Sequence, residues 1–160
     1  MAGSEDAVSQ ADIKSELERR CNAIEEAYEF MLAYAAQGLP SDRGSQTGGQ
    51  LRFFLGRCDE ALTGLANLFS QIVAQGGLQP TDRYEAFISV LDRDARDARA
   101  AVQLVLAQPA ISSQLIDNLN ASIHLRALLT DLFLIDEILR PREAMKTAVA
   151  ETHLKLETEN

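Results

Sequence analysis

Residues 51–72 read LRFFLGRCDEALTGLANLFSQI. In this stretch Leu51, Leu55, Cys58, Leu62, Leu65, Phe69 and Ile72 recur at steps of 4, 3, 4, 3, 4 and 3. An α-helix brings one face back every 3.6 residues, so these steps mark a single apolar helix face. Phe54 and Leu68 widen the stripe beyond the narrow seam of a coiled coil, as a helix lying on a globular core requires. Gly76-Gly77 and Pro80 close the segment.

The same period runs outward in both directions. Upstream, Ile13, Leu17, Cys21, Ile24, Tyr28, Met31 and Ala35 repeat at 4, 4, 3, 4, 3 and 4. Ser9 or Ala11-Asp12 can start that helix, because Ser and Asp side chains accept hydrogen bonds from the free N–H groups of a first turn. Gly38 and Pro40 stop it. Between the two segments, residues 38–49 (GLPSDRGSQTGG) predict a long Gly/Ser-rich loop. Its GSQTGG run has no Lys-Ser/Thr and follows no strand, so it is not a phosphate loop.

Downstream, Tyr84, Ile88, Leu91, Ala95, Ala98, Val102 and Val105 predict a third helix that Pro109 ends. Thr81, or Pro80-Thr81, is its expected cap, with Glu85 near the reach-back position. On its polar side Asp92-Arg93-Asp94 and Arg96-Asp97 alternate in sign, which gives i,i+4 ion pairs on a solvated face. A fourth segment starts at Ser112-Ser113 and runs to Arg140, where Pro141 is expected to stop it. Its apolar residues surround the axis: Ile123, Leu125, Leu128, Leu129, Leu132, Phe133, Leu134, Ile135, Ile138 and Leu139. A helix apolar on most sides is central in its fold or touches something beyond it. Residues 141–160 carry Met145, Val149, His153 and Leu156 at 4, 4 and 3, the pattern of a tail or of a short fifth helix.

These readings predict an all-α protein: an antiparallel four-helix bundle with at most a short fifth C-terminal helix, dimeric through its fourth segment. One helical domain over 1–160 is expected, with residues 1–8 a flexible start. At 160 residues the chain can bury roughly 70% of its unfolded surface, enough for a core without a disulfide or metal staple. Cys21 and Cys58 both lie inside apolar segments and outside any CxxC, so they read as two reduced core thiols of a cytoplasmic protein. A disulfide between them needs the two helices to face each other there. The opening Met1-Ala-Gly-Ser-Glu-Asp lacks the basic and apolar regions of a secretory signal. The excess of arginine over lysine, with abundant alanine, points to a GC-rich bacterial genome.

Charge excludes some functions. The net charge of −9 and the pI near 4.7 leave no basic stripe for nucleic acid. No apolar run reaches the roughly 18 residues of a membrane span, and no helix has the basic polar face of a membrane-surface helix. No Glu-x-x-His occurs, and two histidines scattered across the chain with two cysteines make no zinc or di-iron ligand set. No metal and no cofactor is therefore expected. His124 is followed by Leu125, Arg126 and Ala127, which do not match the lysine and glycine offsets of a phosphotransfer histidine.

Two candidate sites are left. Arg52 and Arg57, with Phe53, stand at the start of the second helix just after the glycine loop, where free N–H groups and two guanidinium groups can attract an anion. Gly56 and Gly64 sit in the same helix at a cost of about 1 kcal/mol each, which implies close helix packing or room for a ligand. The second candidate is a docking face on the fourth segment, Leu125, Leu128, Leu132, Phe133 and Ile135. Asp131 interrupts that face, and an ion pair at a subunit interface is its expected role. With no catalytic constellation legible, the expected function is a non-enzymatic helical interaction protein: an assembly factor, chaperone or regulatory adaptor with a protein partner and a homo-oligomeric state. The competing expectation is a small-ligand sensor or helical enzyme using the anion site.

Overall fold

The computed structural model describes residues 9–158, with side chains at 9–140 and 147–156. The expected start over 1–8 lies outside the described residues. The protein is all-α, with six helices and no strand among the described residues. They are α1 (Gln10–Ala36), α2 (Gln46–Leu62), α3 (Leu65–Gly76), α4 (Thr81–Leu106), α5 (Ser113–Ala121) and α6 (Ile123–Thr158). The chain divides into two units, one up to Leu128 and one from Leu129 onward.

In the first unit α1 packs on α2, α3 and α5, while α4 packs on α2 and α3. The sequence stripes form its core: Ile24, Met31, Leu51, Leu55, Cys58, Leu65, Leu91 and Val102 are all buried. Burying each such side chain contributes roughly 1.5–3 kcal/mol. Ser9 starts α1 as half of a capping box: its side chain accepts from the Asp12 N–H at 3.3 Å, and its own N–H donates to Asp12 Oδ2 at 3.3 Å.

Several boundaries differ from the periodic reading. The 38–49 loop is shorter, because Ser45 caps a turn that begins at Gln46: the Gly48 N–H donates to Ser45 Oγ at 3.0 Å. The helix expected over 51–76 is two helices. Thr63 is extended and Gly64 takes φ +73°, a left-handed conformation that side chains resist. Arg20 of α1 donates to the carbonyls of Ala61 and Thr63, satisfying the end of α2. The segment expected over 112–140 also breaks, at Ser122, which caps α6 by accepting from the Leu125 N–H at 3.4 Å. Pro141 does not stop α6, which continues to Thr158. A proline removes one N–H from the ladder and weakens a helix by about 3 kcal/mol, but it does not forbid continuation. At α4 the cap position is Pro80, the earlier of the two expected positions, and Thr81 is the first helical residue, with its N–H donating to the Gln79 side chain at 3.3 Å.

The second unit is the length of α6 from Leu129. Leu129, Leu132 and Ile135 are buried, as is Asp131. Every described side chain from 147 to 156 is exposed.

Candidate functional site

Arg52 leaves the first turns of α2 and reaches the end of α4. Its guanidinium donates to Asp42 Oδ2 at 2.7 Å, to the Leu106 carbonyl at 3.0 Å and to the Gln108 carbonyl at 2.8 Å. Two of these acceptors are carbonyls at the end of a helix, where the backbone dipoles favour a cation. Asp42 Oδ1 in turn accepts from the Ile111 N–H at 2.7 Å. Arg43 Nε donates to the Pro109 carbonyl at 2.9 Å. The loop between α1 and α2 is thus tied to the loop between α4 and α5.

A second set of bonds lies beside the first. The Tyr34 hydroxyl donates to the Ile111 carbonyl at 2.7 Å, and the Ser113 hydroxyl donates to the Tyr34 carbonyl at 2.6 Å. The Leu39 N–H donates to Ser113 Oγ at 2.8 Å, and the Ser113 N–H to the Leu39 carbonyl at 2.8 Å. Buried polar groups without partners cost about 1–3 kcal/mol each, so this pairing is what lets two loops and their polar side chains enter the interior.

Burial pushes the Asp42 carboxyl up, but the Arg52 hydrogen bond and the Ile111 N–H outweigh it and hold the group below the usual carboxylate range. Burial pushes the Tyr34 hydroxyl above its ordinary value, and the negative charge of Asp42 adds to that rise. Gly48 is part of the same junction. A Cβ there would lie 1.8 Å from the Asp42 carbonyl oxygen, so only glycine lets α2 start this close to the loop.

The two arginines of the expected anion site do not converge. Five positions apart on a helix, they point about 140° away from each other. Arg52 faces the α4–α5 loop, whereas Arg57 faces α1, donating to Glu26 at 3.2 Å and lying 5.8 Å from the centre of the Phe53 ring. Phe53 is 61% exposed and meets Phe54 edge-on at 5.7 Å; Phe54 stacks on Phe30 at 4.6 Å. Gly56 has open space over its Cα, so no close helix approach explains it.

The expected docking face splits in the same way. Leu125, Leu128, Leu132 and Ile135 are buried and form no open surface. Phe133 is 60% exposed, and Leu134 and Ile138 are exposed beside it. The apolar residues surrounding this segment divide by angle into buried and exposed ones. Asp131 is buried with the first group rather than standing on the open side. Arg140 pairs with Asp136, one turn earlier.

Sequence reasoning missed Asp59, which accepts from Arg99 Nε at 2.9 Å and Gln103 Nε2 at 3.1 Å, tying α2 to α4. Cys21 and Cys58 form no disulfide, and burial pushes the Cys58 thiol up to about 12, which keeps it protonated and unreactive. His124 and His153 are both exposed. Among the described residues no three His, Cys, Asp or Glu side chains gather as metal ligands, and no helix is long and apolar enough to cross a membrane. An open groove lies between Ala66, Asn67 and Ser70 of α3 and Ile88, Asp92 and Arg96 of α4. Comparison of the chain with protein-family models, with curated proteins and with solved structures finds no match.

Proposed function

We propose that the chain is a non-enzymatic interaction protein that works through apolar helix surfaces, assembled as a homodimer of antiparallel helical bundles in the cytoplasm. The observation that carries this reading is the composition of α6. From Leu129 onward, Phe133, Leu134, Ile138, Val149, Leu154 and Leu156 are all exposed. Single exposed apolar residues are ordinary, but a run of them along one helix marks a contact surface. The polar network supports the reading from the other side. Arg52, Asp42, Tyr34 and Ser113 are occupied in joining loops, so the strongest polar constellation of the described residues is structural. The anion-site alternative loses its two cationic groups to Asp42 and Glu26.

Phe133→Asp tests the proposal, because an exposed position can take a charge without opening the core. The variant should keep its helix content by circular dichroism and lose the complexes that wild-type protein forms under chemical cross-linking in its host. A folded variant that keeps every one of those complexes would defeat the reading.

A further inference from the structure

Asn120 lies on the inner face of α5 with Ser113, Ile116 and Leu119, and is 6% exposed. Both polar atoms of its amide, Nδ2 and Oδ1, are buried without a hydrogen-bond partner. Such an amide has lost its water and gained no bond, and it regains the water when the helix opens. Each such group raises the open state relative to the closed one by roughly tenfold or more. The remainder of α5 has a fixed end and a loose one. At its start the Ser113 hydroxyl donates to the Tyr34 carbonyl and accepts from the Leu39 N–H, while the Ser113 N–H donates to the Leu39 carbonyl. Over 116–121, among the described residues, the only side-chain bond is the one from Gln114 to Asn118, at 3.1 Å and within the helix itself. Ile116 and Leu119 are the two large apolar side chains buried on this face. Nine residues are too few for a helix to persist without packing. Beyond α5, Ser122 is already extended, so the last turn can unwind without breaking the ladder of α6.

We infer that α5 is a latch: fixed at Ser113, it opens at its Asn120 end while α1, α2 and α4 stay folded. Opening wets the Asn120 amide and bares Leu119 together with the part of α1 on which the last turn of α5 packs. That surface is hidden in the closed protein. A wholly apolar inner face would hold the helix shut; the buried amide keeps the open state within reach, as elements that move in a folded protein require. The latch does not depend on the contact proposed for α6.

Native-state hydrogen exchange on the full chain tests the latch, with wild type beside Asn120→Leu across a series of low urea concentrations. In wild type the amides of 118–121 should exchange at least roughly tenfold faster than those in the middle of α1 and α2. Their rates should depend little on urea, because a local opening exposes little surface. Asn120→Leu is close in volume and carries no polar atoms, so it should slow exchange in the last turn by roughly tenfold or more. Amides of 118–121 with the rate and urea slope of α1 would mean that α5 opens only with the whole protein, and would overturn the inference. So would an Asn120→Leu protein whose α5 exchanges as fast as wild type, since the amide would then have a partner in the folded state. If leucine does not fit and that variant fails to fold, the wild-type rates and slopes decide alone.

Discussion

Gly48 and Gly56 stand two helical turns apart on α2, and a methyl group meets opposite surroundings at the two positions. At Gly48 the added carbon would sit 1.8 Å from the Asp42 carbonyl oxygen, a backbone atom that no rotamer change can move. Gly48→Ala should therefore destabilise the protein by about 2 kcal/mol or more, as overpacking against a fixed wall does. At Gly56 the space is open. Gly56→Ala should stabilise by about 0.5–1 kcal/mol through helix propensity alone. Urea unfolding of the two variants checks both signs. The sequence reading puts Gly48 in the 38–49 loop and Gly56 inside the helix, and shows nothing of what surrounds either. What separates them is the loop carbonyl over the first.

Arg52 and Asp42 carry the second residue-scale prediction. Removing the guanidinium leaves a buried carboxylate and two helix-end carbonyls without their donor, so Arg52→Ala should cost roughly 2–4 kcal/mol. The pH dependence has a defined sign. Asp42 is held below the usual carboxylate range when folded, so the unfolded chain binds that proton first as the solution is acidified. The stabilisation is complete above the ordinary carboxylate value and is lost as pH falls through the lower folded value. Wild type should thus be more stable than Asp42→Asn at neutral pH, and the gap should close in acid. A gap that persists unchanged through the carboxylate range would show that the charge is not what Arg52 and Ile111 recognise. None of this was legible in the sequence, where Arg52 reads as a cation beside a glycine loop. Its carbonyl acceptors lie 54 and 56 positions away, and backbone acceptors leave no residue-type signature.

At the scale of elements, the periodicity of apolar residues predicted the buried faces well and the breaks poorly. Leu62 and Leu65 keep the step of three across the junction between α2 and α3, so the stripe passes through Thr63-Gly64 as if the helix were continuous. The extended Thr63 and the left-handed φ of Gly64 mark the interruption. The same holds at Ser122, because a serine serves equally as a helix interior residue or as a cap. Gly64→Ala forces a side chain into the left-handed region and should cost about 1–2 kcal/mol. Arg20→Ala uncaps the end of α2 at the same junction and should cost about 1 kcal/mol. The two residues meet at one turn, so a double-mutant cycle should give less than the sum of the singles. Strict additivity would mean that Arg20 does not hold this turn. Pro141 shows the reverse error: the sequence marks a strong stop, and the helix passes it, because one missing N–H is a finite cost.

At the scale of the molecule, the all-α class was legible because every strong period in the sequence is helical. The surface was harder to read. The fourth segment shows apolar residues on most sides of its axis, and periodicity alone does not say which side the chain covers itself. The structure divides them, with Leu125, Leu128, Leu132 and Ile135 inside and Phe133, Leu134 and Ile138 outside. The proposed contact uses the exposed side, which is rotated from the face expected. An isologous contact through that face requires no catalytic group, in keeping with a polar network devoted to joining loops.

The measurement that bears most directly on this account is the mass in solution, by light scattering coupled to size exclusion, for wild type and for Val149→Asp. The account predicts twice the 17.5 kDa chain mass for wild type and the single-chain mass for a Val149→Asp protein of unchanged fold. A wild-type protein that stays at the single-chain mass as concentration rises, or a Val149→Asp dimer indistinguishable from it, would contradict it.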